Sequence, residues 1–191
     1  MTRVTLLEQL TAFTERCVAD LLLPVQMQEE DEEPKPYRAP AVYYPCLPDL
    51  HLYAQYAPFI THEVITSQDG AEQFPTGVKL RKSTAVVRTC FCVYHENEQE
   101  GRLFLLTVME RLRIALLEAC VVGDQFRLDL DAGVETLVYP GNPSQTAVSP
   151  FYLGEMITTW KLPIIERKVP NGKNQADYRG SGYPAGQGGR V

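Results

Sequence analysis

Cys90 and Cys92, followed closely by His95, form the densest grouping of reactive side chains in this 191-residue sequence. Two thiols and an imidazole are the raw material of a zinc site or of nucleophilic catalysis. On a strand, residues two apart project from one face, so both sulfurs would point the same way. A metal site would need further ligands from elsewhere, and neither CxxC nor HxxxH spacing is present. His62 is a second candidate base or ligand, set in an apolar strand with no acidic or nucleophilic partner in pattern, and His51 stands alone. Asp124, Asp129 and Asp131 have the acid density of a divalent-ion loop without the glycine and terminal glutamate of an EF-hand. The GxSxG elbow, the GxxxxGK[ST] phosphate loop, GxGxxG after a strand and HExxH are all missing. The expected reading is that the cysteines are small, largely buried apolar groups and His62 is structural. No catalytic, cofactor-binding or metal-binding residue is assigned, and the chain reads as a non-enzyme. Five cysteines, an odd number, fit reduced thiols better than a disulfide framework.

The element that would position these groups is a strand, turn and helix spanning residues 79–122. Along residues 80–94, Val87, Thr89, Phe91 and Val93 fall on one face and Val86, Arg88, Cys90, Cys92 and Tyr94 on the other, the period of two of a strand. A polar turn at 95–101 leads into a helix in which Leu105, Val108, Met109, Leu112, Ala115, Leu116 and Ala119 form a stripe at three- and four-residue spacing. That stripe is suited to lie on the sheet while Glu110, Arg111 and Glu118 stay in water.

Residues 5–23 predict an N-terminal helix with Thr5 and Glu8 as a capping box and Pro24 as its end. Residues 26–36 concentrate acids between prolines and read as a solvated surface loop. The proline-interrupted stretch 39–48 can supply only an edge strand or an extended segment. A strand over 58–66 follows, with Ile60, His62 and Val64 opposite Phe59, Thr61, Glu63 and Ile65. Asp69-Gly70, Pro75 and Gly77 make 67–77 a loop, longer than a tight turn and suited to contacts. After the central helix, 126–130 and 134–139 look like a hairpin or meander. Residues 151–168 form the last strand, with Met156, Thr158, Trp160, Leu162 and Ile164 on one face and Pro163 near an edge.

The expected organisation is one domain over 1–168 and a flexible, glycine-rich tail over 169–191. The fold class is α+β: a mostly antiparallel sheet with the N-terminal and central helices packed on one face. A net charge of −6 argues against a general nucleic-acid binder, and no stretch approaches membrane-spanning length. The protein is expected to be soluble.

Several phrases, in order, resemble the tail terminator (tail completion) proteins of long-tailed bacteriophages and prophages. They are Pro58-Phe-Ile, Phe91-Cys-Val-Tyr-His-Glu, Val108-Met-Glu-Arg-Leu-Arg-Ile-Ala-Leu-Leu117, Phe126-Arg-Leu, Tyr139-Pro and Pro150-Phe-Tyr-Leu-Gly-Glu-Met-Ile-Thr-Thr-Trp-Lys-Leu-Pro163. The resemblance covers residues 58–168 and none of its phrases is a catalytic signature. The N-terminal third and the glycine-rich tail depart from it. It implies a structural virion protein that forms a ring, a hexamer, capping the completed tail tube and joining tail to head. The implied partners are further copies of this chain, the tail tube protein and a head-tail connector or neck protein, with no sequence-specific nucleic-acid recognition, no membrane and no cofactor. The implied location is the tail or neck of the virion, and the bacterial host cytoplasm during assembly. Partner contacts are expected at Asp69, Glu72 and Phe74 of the long loop and at Tyr43, Tyr44 and Tyr152. Two alternatives stand beside this: a neck or head-completion protein, and a small ligand-binding or catalytic α+β domain built around His62, Cys90, Cys92 and His95.

Overall fold

The computed structural model describes residues 3–26, 37–49, 53–73, 79–139 and 150–164, giving only the backbone for 72, 73, 79 and 80. The acidic loop except Gln26, His51, Phe74, the turn at 140–149 and the tail lie outside the described residues, as does the Glu72 side chain. The elements are α1 (Arg3–Val18), β1 (Leu23–Pro24), β2 (Tyr37–Arg38), β3 (Ala41–Tyr43), α2 (Tyr53–Tyr56), β4 (Phe59–Gln73), β5 (Lys79–Tyr94), α3 (Glu98–Ala119), β6 (Val121–Val122), β7 (Phe126–Leu128), β8 (Val134–Val138) and β9 (Phe151–Lys161). The architecture is α+β: a curled, mostly antiparallel sheet with three helices. Its strands run in the order β3-β4-β5-β9-β7-β6, with β8 also on β9, and β1 and β2 pair separately. The edge strand β3 alone runs parallel to its neighbour, β4.

The alternation of β5 decides the layers. Val87, Thr89, Phe91 and Val93 are buried on one face, where α1 and α3 lie side by side on the sheet. Leu105, Val108, Met109, Leu112 and Leu116 of α3 and Leu6, Leu7 and Leu10 of α1 meet Phe91, Met156 and Trp160 there. Asn97 caps α3, its side chain accepting from the Gln99 and Glu100 amides, and Cys120 ends it in the left-handed region. At Gly101 a Cβ would fall into the Tyr152 ring, so the close approach of α3 to β9 requires glycine there.

Several expected boundaries shift, the larger ones through contacts between distant residues. The first helix starts by Arg3 and ends at Val18, so Thr5 lies inside it and is not its cap. Arg111 of α3 donates to the Cys17 carbonyl and forks onto the Asp20 carboxylate, satisfying the end of α1 well before Pro24. The expected loop 67–77 is largely strand: β4 runs on to Gln73, and Asp69 and Gly70 face Ser83 and Lys82 in a ladder instead of forming a turn. β7 and β8 do not form a hairpin; each pairs with β9 in turn, at Trp160 and Lys161 and then from Thr158 to Gly154. Finally, α3 begins at Glu98, within the expected turn, and β9 stops at Lys161.

β4 and β5 outrun the sheet. The β9 ladder on β5 ends at Thr84, with one further bond from the Leu162 amide to the Ser83 carbonyl, so among the described residues 69–73 and 79–83 continue as a two-stranded arm. A bulge at Ile65 marks its base, and Ile65, Ser67, Gln68, Asp69, Gly70, Ala71, Arg81 and Lys82 are all exposed.

Candidate functional site

The face of the sheet opposite α1 and α3 carries the site. Strand alternation puts Phe59, Thr61 and Glu63 of β4, Arg88, Cys90 and Cys92 of β5 and Phe151, Leu153 and Glu155 of β9 on this side. Residues 44–49 and 53–57, the latter including α2, fold over one end, where Leu47, Ala57, Phe59, Cys92 and Phe151 make a small second core. Tyr53 meets Phe151 edge-on at 5.7 Å, and Tyr43 meets Tyr56 at 5.8 Å. Among the described residues nothing further covers the face, leaving a groove of about 450 Å³ walled by Leu47, Tyr53, Phe59, Leu153 and Tyr139.

The floor of the groove is charged. Arg88 donates to Glu63 Oε2 at 2.6 Å, and its second terminal nitrogen lies 3.8 Å from Glu155 Oε1, an ion pair without a hydrogen bond. The Glu63 bond raises the Arg88 pKa, while Arg88 Nε is buried with no acceptor. Cys90 Sγ also lies 3.8 Å from Glu155 Oε1. Burial, and then the Glu155 charge, push this thiol up, which keeps it protonated and a poor nucleophile. Partial burial and then a hydrogen bond to Glu155 raise the Tyr139 phenol. Two carboxylates thus face one guanidinium between apolar walls. Such a surface binds a cation with apolar flanks better than it moves a proton or attacks a carbonyl.

The structure separates the candidate reactive groups. His62 lies on the helix side of the sheet, fully buried, with Nε2 at 2.9 Å from the Thr14 hydroxyl and Nδ1 at 2.9 Å from that of Thr89. Burial pushes its pKa down to about 3, so it is a neutral bridge between α1 and β5. Cys92 is buried on the other face with its thiol pushed up to about 12. His95 sits past the end of β5, its Nδ1 accepting from the Asn97 amide and its Nε2 at 3.0 Å from Glu100. A joint site of His62, Cys90, Cys92 and His95 is therefore not formed: the two cysteines share the open face, His62 lies on the helix side and His95 past the end of the strand. Asp129 is matched by Lys161 at 2.8 Å, and Asp131 lies 3.9 Å from the same amine. Among the described residues no three His, Cys, Asp or Glu side chains gather to hold a metal.

The expected contact residues scatter. Asp69 lies on the arm, held by Ser83 and by Arg3 of α1, which keep its carboxyl below the usual range. Tyr44 is exposed and Tyr43 half-buried beside the groove cover. Tyr152 is a correction: it is 8% exposed, its ring stacked on Gly101, so it belongs to this subunit's own core. Glu63, Arg88, Glu155 and Tyr139 were not singled out by the sequence. The available signal was their polar character on one face of alternating strands, but their convergence needs the registers Glu63 to Arg88 and Arg88 to Ile157, which no spacing reveals.

No protein-family model and no curated protein sequence matches this chain. Among the described residues no helix is long and apolar enough to cross a membrane.

Proposed function

We propose that this protein is a structural subunit of a long-tailed bacteriophage or prophage particle: a tail terminator that assembles into a ring on the finished tail tube and joins it to the head. The observation that carries the reading is the β4–β5 arm, whose described side chains past Ser83 are exposed and which has no third strand there among the described residues. A two-stranded ribbon is marginal alone in water, so an arm of this kind gains from a neighbour that covers it. The groove and the exposed Leu103, Leu106 and Ile114 of α3 add apolar surface of the kind that subunits bury. Arm and groove are different surfaces, and contacts between unlike surfaces close into a ring when the rotation between neighbours matches the symmetry. The phrases between Pro58 and Pro163 that resemble tail terminators supply the particle. Its partners in this role are further copies of itself, the tube protein and a connector.

Electron microscopy of a lysate lacking this protein tests the role. Overlong tails free of heads are expected; normal particles overturn it. Tails of correct length beside unjoined heads favour the neck protein instead.

A further inference from the structure

The arm and the groove sit at opposite ends of the same strands. From Lys82 on the arm to Arg88 on the groove floor is six residues of β5, roughly 20 Å at about 3.3 Å per residue. The β4–β5 ladder is paired through Gln73 and Lys79, so the arm cannot fold back onto its own groove without breaking that ladder. An occupant of the groove with the arm's chemistry must come from another molecule.

Their charges are complementary. The groove floor holds Glu63 and Glu155 against the single guanidinium of Arg88. The β5 half of the arm carries Lys79, Arg81 and Lys82, and the exposed Lys82 lies opposite Gly70, where no side chain crowds it. The arm's one described carboxylate, Asp69, is already taken by Ser83 and Arg3.

We infer that the β4–β5 arm of one copy lies in the open-face groove of a second copy, with Lys82 against the Glu63 and Glu155 carboxylates. This rests on the ring reading and assigns its contact. Each copy donates an arm at one end of its sheet and receives one at the other, which is the head-to-tail geometry that a ring needs. The contact is electrostatic at its centre and weakens as salt rises.

The test mixes unlabelled and ¹⁵N-labelled copies of the full chain at low salt, on added tail tube protein, and treats them with a carbodiimide, which joins an amine to a carboxylate in direct contact. Expected is a mixed-isotope isopeptide from Lys82 to Glu155 or Glu63, absent in Lys82→Arg, whose guanidinium keeps the charge but does not react. Particles of Lys82→Glu should show at least a tenfold loss of ring, and Lys82→Arg none. Rings that form without the Lys82 crosslink overturn the arm-in-groove contact and leave the ring standing. Copies that neither crosslink nor form rings on the tube overturn both.

Discussion

Neighbouring residues of β5 enter two different environments. Phe91 points to the side covered by α1 and α3, among Met156, Trp160 and Leu112; Cys90, one residue earlier, points into the open groove beside Arg88 and Glu155. On the first side His62 is matched by Thr14 and Thr89 and the Trp160 indole by Thr158, while the buried Thr11 and Tyr152 hydroxyls find no partner among the described residues. On the second side matching is also incomplete, with Arg88 Nε unpaired and Glu155 in only loose contact with its cation. The face covered by helices is apolar and contributes stability. The other keeps a partly exposed charged cluster within reach of a partner, and the difference comes from where the two long helices lie.

The sharpest way to break this contrast is to truncate on each side. Phe91→Ala is expected to cost about 3–5 kcal/mol in urea unfolding, since it leaves a cavity between sheet and helices. Cys90→Ala, one residue away, should stay within about 0.5 kcal/mol. Equal losses would mean that the open face is core as well.

His62 gives a pH test of the closed side. Its folded pKa, about 3, lies below the unfolded value near 6.5, so below that value the unfolded chain binds the extra proton. Stability is therefore complete above about pH 6.5 and is lost as pH falls towards the folded pKa, by at most about 1.4 kcal/mol per pH unit from this group. In His62→Gln that part of the slope should vanish, whatever its stability at neutral pH. An unchanged slope between the two proteins would show that the ring is solvated.

Gly101→Ala forces a methyl into the Tyr152 ring and should cost about 1–3 kcal/mol, read as a fall in melting temperature. The double variant with Tyr152→Ala should recover part of the Gly101→Ala penalty, because the obstructing ring is gone.

The smallest effect is expected on the open face. Arg88→Ala removes an ion pair whose members are both more than a third exposed, and such pairs contribute about 0–1 kcal/mol. Denaturant unfolding should change by no more than that, while Lys82 crosslinking between copies is kept or rises, because both carboxylates stay and the competing guanidinium is gone. A loss of several kcal/mol would make the groove floor part of the folding core.

Much of the layer structure was legible because period-two and 3.6-residue patterns are local. The faces of β5, the stripe of α3 and the edge position of β3 follow from side-chain order alone. The burial of Cys92, between Phe91 and Val93, and of His62, whose neighbours on the same face are Ile60 and Val64, also followed from that order. Other features depended on contacts between distant parts of the chain. Arg111 ends α1 from across the helix pair, and β9 accepts β7 and β8 in succession along one edge. Asp69-Gly70, a turn signal by composition, was drawn into a ladder by β5, because backbone pairing overrides a weak local preference. The groove was hidden for the same reason: Glu63, Arg88 and Glu155 come from three strands, and register between strands, which brought them together, is not written in the order of residues along any one of them.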